Sequence, residues 1–227
     1  MTLGSQKERL MEDLDNQKNY WNRVGPTKPF SHLVNVSRLA ELIDRNSHIL
    51  DFGCGYGRAL GALYNQGYHN LIGVDPAPSM VEAARQKFPQ LPFLTIDPPH
   101  LPFADGSMDV VLLFAVLTCV PSDEGQRRII REISRVLRHE GLLYISDFWL
   151  QKDERNVERY RRSHAKYGVY GIFELPEGVV LRHHERRWIH QLTADFTVVT
   201  VDEVRVKTMN GHGADAFQWF GRKRRPA

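Results

Sequence analysis

The stretch Ile49-Leu50-Asp51-Phe52-Gly53-Cys54-Gly55-Tyr56-Gly57-Arg58 decides the fold of this chain. An apolar run, typical of a buried strand, leads into a loop with glycine at every second position, and a helical pattern follows. Glycine lets the backbone turn sharply and lets a ligand approach without meeting a β-carbon. The free N–H groups at the start of the next helix suit an anionic group. The stretch therefore predicts a ligand-binding loop between a strand and a helix.

Short strands and helices alternate after this loop. The sequence predicts strands over residues 48–52, 71–75, 93–96, 109–116 and 142–147, with helices between them that include one starting at Pro78 and one capped by Ser122 and ended by Gly141. Strands separated by helices imply a parallel sheet and an α/β fold. Two further β runs, 197–206 and 214–221, flank Asn210-Gly211, which favours an antiparallel hairpin.

Helical patterns precede and follow these units. The N-terminal stretch to Val24 is predicted to be a helix carrying Leu10, Met11, Leu14, Tyr20 and Trp21. Ser31 is a candidate cap for a second helix. After the fifth strand we expect a charged helix near 153–166, an irregular stretch over 167–173 and a helix at about 184–196.

The composition is that of one globular domain. The 227 residues are 42% hydrophobic and 25% charged, values that exclude a disordered chain and a membrane chain. No apolar run approaches the roughly 18 residues of a membrane span, and the mixed charges at the start of the chain do not resemble a signal peptide. Two cysteines, Cys54 and Cys119, form no disulfide framework, so we expect a reducing cytoplasm.

The net charge is only +3. Part of the excess lies in Arg222, Lys223, Arg224 and Arg225, a basic tail that we expect to be solvated. The chain lacks the broad basic stripe of a dedicated nucleic-acid binder.

Two carboxylates accompany the glycine loop. The dinucleotide fingerprint is G-x-G-x-x-G, whereas this loop is G-x-G-x-G with Asp51 two residues before it. A carboxylate there is poorly placed beside pyrophosphate, which puts an NAD(P) oxidoreductase last among the alternatives. Asp75 ends the second strand about 20 residues past the loop, where an acid can accept both ribose hydroxyls of a nucleoside.

These residues and those that follow resemble the class I methyltransferases that use S-adenosylmethionine (SAM). The resemblance covers residues 47–148 and includes Asp51–Arg58, Gly73-Val74-Asp75, Leu101–Val111 and the segment Arg135-Val136-Leu137-Arg138-His139-Glu140-Gly141. It implies a three-layer Rossmann-like fold whose mostly parallel seven-stranded sheet has an antiparallel last strand. It also implies SAM as the cofactor and S-adenosylhomocysteine as the product.

By position, the resemblance assigns the cofactor-binding residues. They are Asp51, Gly53, Cys54, Gly55, Gly57, Asp75, Pro76, Met80, Asp97, Pro98, Phe114, Ala115 and Val116. Asp97 would face the adenine amino group and Met80 the adenine ring. Pro98 departs from the family pattern, because a proline has no backbone N–H to give to the ring.

Three other features receive plain interpretations. Asp97-Pro98-Pro99-His100 resembles the D-P-P-aromatic motif of amino methyltransferases, but it lies about ten residues before the fourth strand instead of at its end. We interpret Cys119 as a buried core residue and not as a nucleophile. His183, His184 and His190 lack metal-ligand spacing, so we expect no metal.

We divide the single domain into N-terminal cap helices (1–46), a SAM-binding core (47–148), a covering substrate region (149–195) and a closing hairpin with the basic tail (196–227). The candidate substrate residues are Tyr20, Trp21, Tyr167, Tyr170, Arg182, His183 and His184. Their aromatic rings and cationic groups predict a small, partly apolar acceptor with an acidic group. The catalytic residue and the oligomeric state stay unassigned.

The sequence thus predicts methyl transfer from SAM to an O, N or S atom of a small molecule, without a membrane partner. Methylation of RNA and a catalytically silent SAM-binding protein stay as alternatives.

Overall fold

A seven-stranded sheet lies at the centre of the computed structural model, which describes residues 14–225. Its strands are β1 (Ile49–Phe52), β2 (Leu71–Asp75), β3 (Phe93–Thr95), β4 (Met108–Phe114), β5 (Leu137–Phe148), β8 (Phe196–Lys207) and β9 (Gly213–Lys223), in the spatial order β3-β2-β1-β4-β5-β9-β8. β1 to β5 pair in parallel, whereas β9 is antiparallel to both β5 and β8. The predicted α/β fold, with its mostly parallel sheet and antiparallel last strand, is confirmed.

Helices and one small hairpin surround the sheet. They are α1 (Lys18–Val24), α2 (Val36–Leu42), α3 (Arg58–Tyr64), α4 (Pro78–Lys87), α5 (Asp123–Val136), α6 (Glu154–Tyr167) and α7 (Arg186–Leu192), together with a hairpin of β6 (Ile172–Glu174) and β7 (Val180–Arg182). Short 3-10 turns cover Gly25–Thr27 and Leu117–Cys119. None of the helices within residues 14–225 has the length and apolar character needed to cross a membrane.

The central strand β4 has apolar side chains on both faces. Val111 and Leu113 pack with Ile133 of α5 in one core cluster, and Leu112 packs with Leu60 of α3 in another. Successive side chains of a strand point to opposite faces, so a continuous apolar run suits a sheet that is covered on both sides. The sheet therefore forms the middle of three layers.

The second helix starts later than the sequence predicts. Its cap is Asn35, whose side chain accepts a hydrogen bond from the Arg38 N–H at 3.1 Å. Ser31, the predicted cap, instead donates its hydroxyl to the carbonyl of Lys207 at the end of β8. A cap requires its acceptor beside a free helix N–H, and the contact with β8 takes Ser31 away from that position.

The predicted N-terminal helix is interrupted. Leu14 is helical, the chain leaves the helix at Asn16 and Gln17, and a helix begins again at Lys18. The predicted helix residues Leu10 and Met11 lie outside the described residues. Before Lys18, the Gln17 side chain donates to the Val180 carbonyl at 2.7 Å and accepts the Val180 N–H at 2.9 Å. This pairing with the edge of β7 holds the chain outside the helix at that point.

Ser122 caps α5 as predicted, and its hydroxyl accepts the Gly125 N–H at 2.8 Å. The prediction that Gly141 ends this helix is wrong, since α5 ends at Val136 and Gly141 lies within β5.

Half of the expected basic tail is part of the fold. Arg222 and Lys223 belong to β9. The Lys223 ammonium donates to the carbonyls of Ser134 and Leu137 at 2.6 and 2.8 Å, which gives the C-terminal end of α5 the cation that it favours. The expectation of a wholly solvated tail is corrected for these two residues.

Core packing predicts how the sheet responds to truncation. We expect Leu112→Ala, at a fully buried position, to lower the free energy of unfolding by roughly 2–5 kcal/mol, because the sheet cannot close the cavity. Val198→Ala, where the side chain of the edge strand is 48% exposed, should change it by about 0.5 kcal/mol or less. Urea unfolding of both variants measures the difference, and equal effects would contradict the assignment of β4 as the centre of the core.

Candidate functional site

A cleft of about 700 Å³ lies beyond the carboxyl ends of the central strands. Its lining includes Asp51 of β1, Asp75 of β2, Phe114 of β4 and Phe148 of β5. Ligands of open α/β sheets bind at this edge. The cleft is therefore the candidate functional site.

At one end of the cleft, the Asp75 carboxylate fixes the glycine loop. One oxygen accepts the Gly55 N–H at 2.9 Å and the other accepts the Ala77 N–H at 2.9 Å. Burial raises the pKa of Asp75 to about 6, although these two N–H donors oppose the shift. The same side chain thus sets the turn after β1 and the start of α4. We call this end, with Asp51, Gly53, Gly55 and Asp75, the glycine end.

The glycines of the loop serve different purposes. Gly53 has a φ of +77°, and a β-carbon there would lie 2.4 Å from Val116 Cγ2. Gly57 has a φ of +78°, but a β-carbon there would meet the Phe93 ring at 2.8 Å, in the core. Gly53 therefore keeps the floor of the cleft open, whereas Gly57 lets the loop pack on β3.

Ala115 carries a strained backbone at the tip of β4. Its φ of +53° is in the left-handed region, which costs energy for a residue with a β-carbon. Its N–H donates to the Ser146 carbonyl at 2.8 Å, and this bond holds the conformation. Strain of this kind concentrates at functional sites, and Ala115 lines the cleft.

Asp51 is a buried carboxyl group in the floor of the cleft. Burial raises its pKa to about 7; the Arg58 guanidinium opposes the shift and the Asp75 carboxylate adds to it. The site therefore holds a group whose charge is costly until a cation lies beside it.

The other end of the cleft is a row of rings that we call the aromatic lobe, formed by His32, Phe148, His183, Phe173 and Arg159. The His32 and Phe148 rings meet edge-on with centroids 4.6 Å apart. The ring centroid of His183 lies 5.2 Å from that of Phe148 and 4.8 Å from that of Phe173. The Arg159 Cζ atom lies 3.5 Å from the Phe173 centroid. All five residues line the cleft.

His183 is held as a neutral hydrogen-bond donor. Its Nδ1 lies 2.5 Å from the Tyr160 hydroxyl, which also accepts the Gln151 N–H at 3.2 Å. Burial lowers the pKa of His183 well below 6.5, and the nearby charge of Arg159 lowers it further. We assign the Tyr160 proton to the bond with Nδ1, which leaves the ring proton of His183 on Nε2.

His32 is the second neutral imidazole of the lobe. Its Nδ1 lies 2.9 Å from the Ser146 hydroxyl, and its buried Nε2 has no hydrogen-bond partner among the described residues. Burial lowers the pKa of His32 to about 4, although the Asp147 carboxylate opposes the shift. The ring is therefore unprotonated near neutral pH.

Most of the predicted cofactor residues lie together on this cleft. They are Asp51, Gly53, Cys54, Gly55, Asp75, Pro76, Met80, Pro98, Phe114, Ala115 and Val116. Gly57 faces the core, and Asp97 is exposed outside the lining because β3 ends at Thr95. Two of the predicted substrate residues, Trp21 and His183, also line the cleft.

The structure separates the predicted cationic cluster. The Arg182 guanidinium is buried, 2.6 Å from the Asp123 carboxylate and 4.8 Å from the Trp188 ring. His184 is buried with its Nε2 3.6 Å from the Asp147 carboxylate. Because side chains alternate along an extended chain, only His183 of the three lines the cleft.

Three predicted aromatic residues also lie outside the lining. Tyr20 is buried in a cluster with Tyr160 and Phe173, and burial raises its pKa to about 12. The Tyr167 hydroxyl donates to the Glu174 carboxylate. Tyr170 packs edge-on against Tyr160, with the ring centroids 5.4 Å apart. These tyrosines hold α6 and the β6–β7 hairpin in place.

Sequence reasoning missed four residues of the aromatic lobe. Phe148 ends β5, and its position at a strand terminus was an available signal. Phe173 ends the irregular stretch expected over residues 167–173, where an aromatic side chain equally suits packing on the sheet. His32 and Arg159 carried no signal, because their surroundings come from distant parts of the chain.

Cys119 lines the cleft, and its thiol donates to the Ala115 carbonyl at 3.2 Å. Burial raises the pKa of this thiol well above its usual range, so it is a poor nucleophile. Within residues 14–225, no group of three His, Cys, Asp or Glu side chains is arranged to hold a metal ion.

Comparison with known proteins finds similarity to methyltransferases. Residues 50–145 match the family model described as Methyltransferase domain. A probable S-adenosylmethionine-dependent methyltransferase of Mycobacterium tuberculosis is 35% identical over 141 residues, which are 61% of this chain and 46% of the relative. The chain thus matches about half the length of this relative and of a second Mycobacterium tuberculosis protein of the same description.

Two further comparisons cover more of both chains. A ubiquinone biosynthesis O-methyltransferase of Coxiella burnetii is 29% identical over 190 residues, 78% of this chain and 76% of the relative. The crystal structure of a SAM-dependent methyltransferase from Methanosarcina mazei superposes with a TM-score of 0.79 at 22% identity, over 83% of this chain and 98% of that one. The latter likeness concerns the fold.

The glycine end fits SAM. A carboxylate can accept about four hydrogen bonds. Asp75 accepts two from backbone N–H groups, so it can accept further hydrogen bonds from ribose hydroxyls. The Asp51 carboxyl suits the ammonium of the methionine part. The cleft volume lies within the roughly 300–1,000 Å³ of ligand pockets.

Asp51 predicts an unusual pH dependence of stability. Its pKa of about 7 in the folded protein exceeds the unfolded value of about 3.9, so the folded state binds the proton more tightly and the contribution of Asp51 becomes unfavourable as pH rises from about 4 to 7. We expect Asp51→Asn to raise the free energy of unfolding at pH 7.5 by a few kcal/mol, on the order of 1.4 kcal/mol for each pKa unit. Urea unfolding of the variant and the wild type measures this difference. At pH 4.5 the gain should shrink; a gain equal at both pH values would contradict the raised pKa.

Proposed function

Because the chain carries a class I SAM-dependent methyltransferase domain, we propose that the protein is an enzyme that transfers the methyl group of SAM to an O, N or S atom of a small molecule. The family and the fold indicate SAM as the cofactor, in agreement with the sequence prediction. The nature of the acceptor is the part that this proposal adds.

One observation carries the proposal: the glycine end and the aromatic lobe belong to a single cleft. Asp51 and Asp75 lie at one end of it, and Phe148 and Phe173 lie at the other. A cofactor held at the glycine end therefore has space beside it for a small, partly apolar acceptor.

Three segments that are distant in sequence enclose this space. The Lys28 ammonium lies 3.2 Å from the Glu177 carboxylate and 3.2 Å from the Asn210 side-chain oxygen. These contacts join the N-terminal segment, the β6–β7 turn and the β8–β9 turn. Closing the cleft on this side limits the entry of water and favours small acceptors over polymers.

The protein's contribution to the reaction is alignment. When bound, SAM supplies an electrophilic methyl group on a positively charged sulfur. Asp75 and Asp51 hold and orient the cofactor, while the aromatic lobe positions the acceptor and keeps water out. Fixed orientation of two reactants can lower a barrier by roughly 7–11 kcal/mol.

We assign the ring proton of His32 to Nδ1, which donates to the Ser146 hydroxyl, so that the lone pair of Nε2 is the group that takes a proton from the acceptor. Its Nε2 has no hydrogen-bond partner among the described residues, and its low pKa keeps it unprotonated. His183 is a donor through Nε2 and does not compete for this role. The name of the Coxiella burnetii relative describes O-methylation, which supports oxygen as the acceptor atom.

The cofactor site predicts binding of SAM. Titration calorimetry should measure SAM and S-adenosylhomocysteine binding to the wild type, and Asp75→Ala should weaken both by about tenfold or more, because each lost charge-assisted hydrogen bond costs roughly 1.5–3 kcal/mol. Asp44→Ala, which removes an exposed carboxylate outside the cleft, is the matched control. A folded wild type that binds neither ligand would overturn the proposed function.

The proton acceptor predicts a kinetic effect. For a hydroxyl acceptor identified by release of S-adenosylhomocysteine in a panel of small molecules, we expect His32→Ala to lower kcat by about 10²–10⁴-fold with little change in cofactor affinity. His139→Ala, at an exposed position, should leave kcat unchanged. An unaltered kcat in His32→Ala would remove His32 from the reaction.

A further inference from the structure

Arg159 has a setting that the methyl transfer itself does not require. It lies on α6 and lines the aromatic lobe, with its guanidinium carbon 3.5 Å from the centroid of the Phe173 ring. Its Nε is buried and makes no hydrogen bond within residues 14–225. Burial lowers the pKa of this guanidinium, but an arginine side chain stays charged at any ordinary pH.

The acids around Arg159 are already committed to other partners. Glu174 pairs with Lys166. Glu177 lies 3.2 Å from Lys28. Asp153 caps α6 through the Asn156 N–H. Asp153 acts on the Arg159 guanidinium only at longer range. Within residues 14–225, no carboxylate forms an ion pair with it.

An unpaired charge in an apolar lobe is costly, because buried charges are stable when they are paired. Stacking on Phe173 covers one face of the guanidinium. The Tyr160 hydroxyl is a hydrogen-bond partner of the same side chain, whereas the Nε on its edge has none among residues 14–225. That edge is a planar fork, which matches the two oxygens of a carboxylate. The His183 ring centroid lies 4.8 Å from that of Phe173, and its neutral Nε2–H adds a donor without adding a charge.

The charge and shape of the lobe define the ligand further. One unpaired guanidinium balances one negative charge, which suits a carboxylate better than a doubly charged phosphate. The rings of Phe148 and Phe173 form the walls of the lobe, so the rest of the ligand is apolar and flat. The ligand is therefore an aromatic or similarly flat acid.

We propose that Arg159 binds a carboxylate of the methyl acceptor, so that the acceptor is a small flat apolar acid; this rests on the proposed function. The sequence predicted an acidic acceptor but assigned the cationic groups to Arg182, His183 and His184. Arg182 is bound to Asp123, and the two histidines are neutral. The specificity-determining cation lies on α6 instead.

The test measures binding of simple acids to the protein saturated with S-adenosylhomocysteine. Benzoate, phenylacetate and cinnamate are each compared with the corresponding amide by titration calorimetry, and phenyl phosphate is included as the other anion. The variants are Arg159→Gln, Arg159→Lys and the control Arg162→Gln, which removes an exposed arginine of the same helix paired with Glu158. Thermal melting checks that each variant is folded.

We expect at least one acid to bind more tightly than its amide. Arg159→Gln should weaken the binding of that acid by about tenfold to a hundredfold, because one or two charge-assisted hydrogen bonds are lost. Arg159→Lys should recover part of the loss, since it keeps the charge without the fork. Arg162→Gln should bind as the wild type does.

Three results would overturn the inference. They are an absence of preference for every acid over its amide, equal acid binding by the wild type and Arg159→Gln, and tighter binding of phenyl phosphate than of benzoate. Affinity for S-adenosylhomocysteine separates the two proposals: its absence in the wild type contradicts the proposed function, whereas its persistence without acid preference contradicts only the role of Arg159.

Discussion

The two hydrogen bonds of the Asp75 carboxylate are the constraint on which the cleft depends. They join the loop after β1, through the Gly55 N–H, to the turn before α4, through the Ala77 N–H. They add a side-chain link to the backbone bonds that the N–H groups of Gly53 and Cys54 donate to the Val74 carbonyl. The two Asp75 bonds stabilise a carboxylate in a buried position. Burial disfavours its charged form and raises its pKa, although the two bonds oppose this shift. The protein thus keeps a charged group where folding alone would favour a neutral one, which is expected of a binding site.

The local parts of the fold and site could be predicted because their causes lie close together in sequence. Asp51 to Gly57 form one strand–turn–helix unit, and Ser122 caps the helix that begins at the next residue. Where a distant partner decides, the same reasoning fails. Ser31 resembles a cap but binds the Lys207 carbonyl, 176 residues away. The β6–β7 hairpin was not predicted, because its three-residue strands are fixed by contacts with α6 and the N-terminal segment.

The cations illustrate the same limit. Arg159, Arg182 and Lys223 cannot be distinguished by sequence composition, yet in the folded protein each cation has different partners. Arg182 neutralises Asp123 across 59 residues, and Lys223 caps the carbonyls at the end of α5. Arg159 lines the cleft, and no carboxylate within residues 14–225 forms an ion pair with it. Which cation is structural and which is functional is therefore decided by tertiary pairing, which no local pattern contains.

The resulting cleft is electrically polar along its length. Carboxyl groups of Asp51 and Asp75 lie at the glycine end, the Arg159 guanidinium lies at the far end, and the neutral rings of His32, Phe148 and His183 lie between them. A cationic cofactor would be attracted to the glycine end, and an anionic acceptor would be attracted to Arg159 at the far end. This attraction sets their mutual orientation before any reaction. The rings of His32, Phe148 and His183 between the two ends are uncharged near neutral pH. Methyl transfer from a sulfonium to an uncharged or anionic nucleophile moves positive charge away from sulfur, and a low-dielectric middle does not oppose that loss as water does.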